Sequence, residues 1–422
     1  MKKTILCIAT LDTKGPEVQY VKELIEKRGD AALVMDIGSL EKPLFTPDIT
    51  ADEVARAAGS TIQEVRGFRE AGPAAEVMAS GAVRIAKNLY NLGKFQGVIS
   101  IGGGMGSVVA STVMRELPVG VPKFMLSSQK IVEAGIREYV RTKDIAVMPS
   151  MADIAGLNRL TRKALSDAAG AIVGMVESAE PEISEKPFLF MTMLGTTTGC
   201  GLKVKSLLED KGFEVAVFHT IGIGGMTFEE LLKDYPVKGV VELGLNEIGN
   251  ELFGGLASAG PNRLEAAGMR GIPQIITPGN VDFINFLAPE TVPERYRNRT
   301  LCFHNPQATL PRLNGEELEL IGETVAKKLN LATGPVKVLI PTRGFSSLDR
   351  KGNIFYDPMA DKAFVEALKN SLKETIELKE IDVHINDGEF AEAVASEFIN
   401  LVKLAQEGGE NMVECRQRES GL

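Results

Sequence analysis

Thr4-Ile-Leu-Cys-Ile-Ala-Thr-Leu-Asp-Thr-Lys-Gly15 decides how the chain folds. Its first half, Thr4–Ala9, is a short unbroken apolar run, and its second half is a polar turn closed by glycine. Beyond it Val18, Val21, Leu24 and Ile25 recur at the spacing of one helix face. Gly29 ends that helix, and 32–35 is apolar again. A strand that is apolar at every position is buried on both faces. Alternation of such strands with amphipathic helices gives a parallel sheet covered on both sides.

The pattern then repeats. Phe188-Leu-Phe-Met-Thr-Met-Leu194 reads as a strand, Gly195-Thr-Thr-Thr-Gly199 as its turn, and Val204, Leu207 and Leu208 as the following helix. Superposing Gly199 on Gly15 also brings Thr220-Ile-Gly222 onto Asp36-Ile-Gly38. Further on, Gly239-Val-Val-Glu-Leu-Gly244 matches Gly97-Val-Ile-Ser-Ile-Gly102, and 271–278 matches 120–127. Matched segments in one order imply an internal duplication, with two α/β domains over 1–180 and 187–405. The stretch 177–187, with two prolines and four glutamates, reads as the linker. Thr50-Ala-Asp-Glu53 fits a capping box opening a helical insertion in the first domain, continued by a helix over 73–92. In the second domain a strand is expected over 336–340, a helix over 359–372, a strand over 381–385 and a last helix over 389–405. The remainder, 406–422, reads as a loose polar tail.

The 422 residues exceed one typical domain. With 47 basic against 56 acidic residues the net charge is −9, and there is no basic run, which argues against a nucleic-acid partner. No apolar run reaches the ~18 residues of a membrane span, and Met1-Lys-Lys3 followed by so short an apolar stretch is expected to be a buried first strand rather than a targeting segment. The four cysteines (Cys7, Cys200, Cys302, Cys415) form no C-x-x-C pair, so reduced thiols in a cytoplasmic protein are expected. No G-x-S-x-G elbow is present, and His219, His304 and His384 stand outside any zinc motif.

In open parallel sheets ligands sit beyond the carboxyl ends of the strands. Gly102-Gly103-Gly104-Met105-Gly106-Ser107, before a helix over 108–117, exposes backbone N–H groups that can cradle a phosphate. Thr10, Thr13 and Lys14 after the first strand suit an anionic group, and Asp12 suits a Mg²⁺ ion bridging phosphates. Asp36 ends the second strand, where dinucleotide folds receive ribose, and Ser127 ends a later one. In the second domain the strand-end residues are 195–198, His219, Asn246-Glu247 and 277–280. Arg263, His304-Asn305, Arg312, Arg343 and Ser346 join them as candidates for a small anionic ligand.

Leu11-Asp-Thr-Lys-Gly-Pro-Glu17 resembles the opening motif of the Tm-1-like ATP-binding family, also called UPF0261. The resemblance continues through Asp153-Ile-Ala-Gly-Leu-Asn-Arg159, Arg263-Leu-Glu-Ala-Ala267, Asp282, Asn285-Phe286, His304-Asn305, Arg343-Gly-Phe-Ser346, Tyr356-Asp-Pro358 and His384-Ile-Asn-Asp387, nearly the whole chain. It implies two Rossmann-like domains, ATP binding and a tendency to form a homodimer. In the plant member the module inhibits a viral replication protein. Thr197-Thr-Gly-Cys200 departs from the family's Thr-Thr-Pro-Cys, and of its Thr-Thr-Glu near 246 only Glu247 stands here. The nucleotide is therefore expected in the first domain. The leading expectation is an ATP-binding protein, with an enzyme acting on a small anionic metabolite left open, whose Arg263, His304 and Arg343 line the far wall of an interdomain cleft. A non-catalytic regulatory module and an NAD(P)-dependent oxidoreductase are the alternatives.

Overall fold

The chain is described here from a computed structural model covering residues 2–128, 131–132, 135–178 and 184–419, with backbone alone over 406–419. It divides into two units, Met1–Glu182 and Ile183–Leu422. Residues 179–183 of the expected linker lie outside the described residues.

The first unit runs β1 (Thr4–Ala9), α1 (Leu11–Lys27), β2 (Ala31–Asp36), α2 (Ala51–Ala57), α3 (Ile62–Arg66), α4 (Ala71–Asn91), β3 (Gly97–Gly102), α5 (Gly104–Glu116), β4 (Lys123–Ser127), α6 (Ile136–Val140), β5 (Ala146–Pro149) and α7 (Arg159–Glu177). Its sheet has the order β2-β1-β3-β4-β5, and every pairing is parallel. Helices α1 and α7 cover one face through Val18, Val21, Ile25, Leu165 and Ile172. Helices α2 to α5 cover the other through Val54, Met78, Ala82, Val109 and Val113. The insertion opens with the expected capping box, Glu53 N–H donating to Thr50 Oγ1 and Thr50 N–H to Glu53.

The second unit runs β6 (Phe188–Met193), a 3-10 turn (Gly195–Thr197), α8 (Thr198–Glu209), β7 (Glu214–His219), α9 (Ile223–Asp234), β8 (Gly239–Gly244), α10 (Asn246–Phe253), α11 (Ala266–Met269) and β9 (Gln274–Gly279). It continues through α12 (Glu294–Arg297), β10 (Leu301–Asn305), β11 (Ala308–Pro311), α13 (Gly315–Leu329), β12 (Val336–Pro341), α14 (Pro358–Ser371), β13 (Glu377–Ile381) and α15 (Gly388–Glu419). The order β13-β12-β9-β8-β6-β7 repeats the first sheet with one strand added, again all parallel.

The duplication has a physical mark. Strands β3 and β8 are buried at all six positions, and each begins with a glycine against the last helix of its unit. A Cβ at Gly97 would lie 2.4 Å from Val176 Cγ2 on α7, and one at Gly239 would lie 2.4 Å from Phe398 Cζ on α15. Only glycine lets helix and strand approach so closely.

Three expectations are corrected. Residues 10–15 are not an open turn, since α1 starts at Leu11, kinks at Lys14 (φ −124°, ψ 17°) and resumes at Pro16; proline suits a first helical turn. The last strand lies at Glu377–Ile381, four residues early. The alternation of Ile381, Val383 and Ile385 imitates a strand, but Ile385 enters the core from a turn in which His384 N–H donates to Asp387 (2.9 Å). The tail expected from 406 instead continues α15 to Glu419, for that stretch contains no proline.

Candidate functional site

Sheet order 2-1-3 reverses the direction of winding between β1 and β3, and the crevice beyond the carboxyl ends of those strands is where such folds hold ligands. A cavity of about 290 Å³ opens there. Thr10, Asp12, Thr13 and Lys14 line it from the start of α1, and Gly103, Gly104, Met105 and Gly106 from the start of α5. All eight are sequence candidates.

Gly103 is the N-cap of α5 and supplies no side-chain cap, so the N–H groups of 104–106, which have no intrahelical acceptor, face the crevice uncapped. Ser107 N–H already donates to Gly103 O (3.0 Å). Gly102 lets the strand end meet this turn, because its Cβ would stand 3.3 Å from Gly106 Cα. The N-cap of α1, Thr10, is also without a side-chain cap; its hydroxyl lies 2.8 Å from that of Thr13. Lys14 Nζ donates to Ile154 O, which holds the ammonium beside the crevice. Two helix N-termini, two hydroxyls and one ammonium thus surround a single space. Their partial and formal charges favour an anion.

Four first-domain candidates lie behind that surface. Asp36 is buried, and its Oδ1 accepts from Leu11 N–H (3.0 Å) and Gly38 N–H (2.8 Å). Burial raises its pKa despite those bonds. Both bonds fall on Oδ1, and the residue is 1% exposed and outside the cavity lining, so the acid lies behind the crevice rather than on its surface. Ser107 and Ser127 are buried and bonded to each other through their hydroxyls at 2.6 Å. Gly102 supports the turn without lining the cavity.

The second-domain candidates have separate surroundings within their own unit. Arg263 is 1% exposed and donates to Glu247 (2.6 Å), Glu229 (3.0 Å) and both oxygens of Glu242 (2.6 and 2.7 Å). Burial alone would lower its pKa, but Glu242, Glu247 and Glu229 hold it well above the usual value. Arg263 is therefore a structural ion-pair centre. Arg343 is exposed and makes a bidentate pair with Asp382 (2.9 and 2.7 Å). His304 and Asn305 are exposed in the antiparallel ribbon β10–β11, a sheet separate from the parallel one. Ser346 is buried and donates to Asp282 Oδ2 (2.7 Å).

Asp282 belongs to a buried group with Asp349, Asp361 and Arg312. Arg312 Nη2 meets Asp361 at 2.8 Å and Asp349 at 3.9 Å. Asp349 accepts from Phe345 N–H (2.9 Å), while Asp282 Oδ1 has no partner among the described residues. Three carboxyls share one guanidinium, and burial pushes Asp282 up to about 7, Asp349 to about 8 and Asp361 to about 6.

The matching crevice of the second unit, between the ends of β6 and β8, is filled by the protein's own side chains. Thr196 Oγ1 donates to Asn280 Oδ1, Asn280 Nδ2 to Thr197 Oγ1 (3.2 Å), and Asn246 Nδ2 to Thr220 O (2.8 Å). Glu247 accepts from Gly222 N–H (2.7 Å) and Gly225 N–H (3.0 Å) at the start of α9. Burial raises the pKa of this carboxyl, against the pull of Arg263.

Sequence reasoning missed the apolar side of the first cavity: Ile37 and Leu40 after β2, Ala71, Ala75 and Met78 on α4, and Val109 on α5. The signal was present in the small-residue stripe Ala71-Ala75-Met78-Ala79-Ala82 of the insertion. Its period marks a close-packed helix face without saying against what. No group of three or more His, Cys, Asp or Glu among the described residues could hold a metal ion. None of the described helices is long and apolar enough to cross a membrane.

Residues 3–181 match the N-terminal domain, and residues 186–402 the C-terminal domain, of the uncharacterised protein family UPF0261. A UPF0261 protein of Clostridium tetani is 41% identical over 405 residues, which cover 96% of this chain and 100% of the relative. The ToMV resistance protein Tm-1(GCR237) of Solanum lycopersicum is 30% identical over 446 residues, covering 99% of this chain and 57% of the tomato protein. Among solved structures, the UDP-GlcNAc 2-epimerase of Methanocaldococcus jannaschii in complex with UDP-GlcNAc and UDP aligns at 11% identity. It covers 65% of this chain and 83% of its own with a TM-score of 0.21, too slight a likeness to carry an argument. Both halves match, and one relative aligns along its full length: the chain belongs to the UPF0261 family.

Proposed function

We propose that the first unit binds a nucleoside phosphate, with ATP the first to test. The phosphates would lie against the amides of 104–106, within reach of Thr10, Thr13 and Lys14. The carrying observation is the uncapped start of α5 opening onto a cavity at the switch point of the sheet. A base would face the apolar wall of Ile37, Ala75, Met78 and Val109. About 290 Å³ is near the lower limit of ligand pockets, roughly 300 Å³. A ligand of ATP's size would therefore leave part of itself in the mouth. A Mg²⁺ ion would travel with the phosphates and keep most of its waters, as this ion does where no protein cage exists.

Calorimetric titration of the full chain with ATP, with and without Mg²⁺, tests the reading. Gly103→Val localises it. A Cβ at Gly103 meets nothing within 4 Å, so the variant should fold normally while its methyls intrude on the phosphate position. Affinity should fall by about tenfold or more, on the scale of one lost charge-assisted contact, with the melting temperature unchanged. Absence of heat at millimolar ATP, or wild-type affinity in Gly103→Val, would refute the assignment.

A further inference from the structure

Among the described residues Asp12 is the one acidic side chain in the lining of the first cavity, and its position is built. Its Oδ2 accepts from the amides of Leu40 (2.9 Å) and Glu41 (3.2 Å), which fold the loop after β2 back onto the first turn of α1. Its carboxylate lies flat on Gly38. A Cβ there would come within 2.8 Å of Asp12 Cγ and 2.9 Å of both oxygens, so any larger residue would evict the acid. Oδ1 makes no hydrogen bond to the described residues. The acid that dinucleotide folds turn toward ribose is Asp36, which here is buried, takes two amides on Oδ1 and is outside the cavity lining.

A fixed carboxylate in an anion site repels phosphate, so the phosphates belong on the α5 and Lys14 side of the crevice. Asp12 then faces whatever neutral donor follows them in the ligand. In a nucleotide that donor is a hydroxyl of the sugar. We propose that Asp12 Oδ1 accepts a hydrogen bond from a ribose hydroxyl, which makes the site selective for ribonucleoside over deoxyribonucleoside phosphates. The assignment rests on the phosphate-binding reading above. It moves the ribose acid from the end of the second strand to the first turn of the first helix.

The test titrates the full chain with pyrophosphate, ADP, 2′-deoxy-ADP and 3′-deoxy-ADP, each with and without Mg²⁺, in wild type and Asp12→Asn. Asparagine keeps an oxygen for the Leu40 and Glu41 amides, and circular dichroism checks that the fold is intact. The affinity ratio between ADP and its deoxy analogues is the readout, because loss of the repelling charge shifts all nucleotides together. Wild type should bind at least one deoxy analogue about tenfold or more weakly than ADP, since a site made to bond a hydroxyl rejects the analogue lacking it. In Asp12→Asn the ratio should fall to within about twofold, with pyrophosphate binding retained. Equal wild-type affinity for all three nucleotides would overturn the proposal, as would an undiminished ratio in the variant. An effect of Asp12→Asn confined to Mg²⁺-containing samples would make the residue a metal ligand instead. Binding of neither pyrophosphate nor ADP would remove the phosphate-binding reading and this proposal with it.

Discussion

Asp282→Asn should make the protein more stable at alkaline pH and less sensitive to pH. Asp282 has no exposed surface, bonds only Ser346, and is pushed by burial, then by Asp349, from 3.8 to about 7. Between those two values the folded chain holds a proton that the unfolded chain has released. Stability therefore falls as pH rises through that window and levels off above about 7. At ~1.4 kcal/mol per pKa unit, a shift of about three units caps the loss at roughly 4 kcal/mol, with about half of it falling between pH 5 and 7. Coupling to Asp349 and Asp361 lowers the share of any one group. Asparagine keeps an oxygen for the Ser346 hydroxyl, and its amide, like the acid's free oxygen, stays without a partner at a cost of about 1 kcal/mol independent of pH. The variant should thus equal or trail wild type at pH 5 and exceed it by about 2 kcal/mol at pH 8. Urea unfolding followed by circular dichroism at pH 5, 6, 7 and 8 reads this directly. A constant difference at every pH, with parallel slopes, would show that Asp282 ionises in the fold as it does in water, and the account of the buried trio would be wrong.

Two further substitutions test the packing argument and the ion-pair centre. Gly239→Ala places a methyl 2.4 Å from the Phe398 ring, and the overpacking should cost about 1–3 kcal/mol in urea unfolding; an unchanged midpoint would mean that α15 moves freely off β8. Arg263→Met leaves Glu229, Glu242 and Glu247 without their cation and should destabilise by about 3–5 kcal/mol at pH 8. Part of that loss should return at pH 5, because burial raises the pKa of Glu247 and favours its protonation, and thermal melts at the two pH values measure the recovery.

The sequence carried the α/β architecture well because its signals were local. Apolar runs such as Thr4–Ala9 and Gly97–Gly102 define buried strands, and the glycines at 97 and 239 align because each serves the same close approach. The first cavity was half legible. Glycines and hydroxyls after a strand announce a backbone that can approach an anion, and Thr10, Thr13, Lys14 and 103–106 are indeed together. What the sequence could not carry was which side chains are already satisfied. Asp36, Arg263 and Ser346 have the right chemistry, yet each has a partner that lies 16 to 64 residues away in the chain. Edge elements were legible least. The ribbon holding His304 pairs with no parallel strand, and the strand Glu377–Ile381 is too exposed to form an apolar run.

Glu247 and its surroundings give the two halves of the duplication different futures. Its carboxylate already supplies the negative charge that the amides at 222 and 225 attract, and Arg263 fastens it in place. The second copy has in effect internalised its own counter-ion. Reopening it costs stability, since removing Glu247 takes one of three carboxylate partners from Arg263 and removing Arg263 strands three acids. The first copy has no such lock and remains free to change what it accepts one residue at a time.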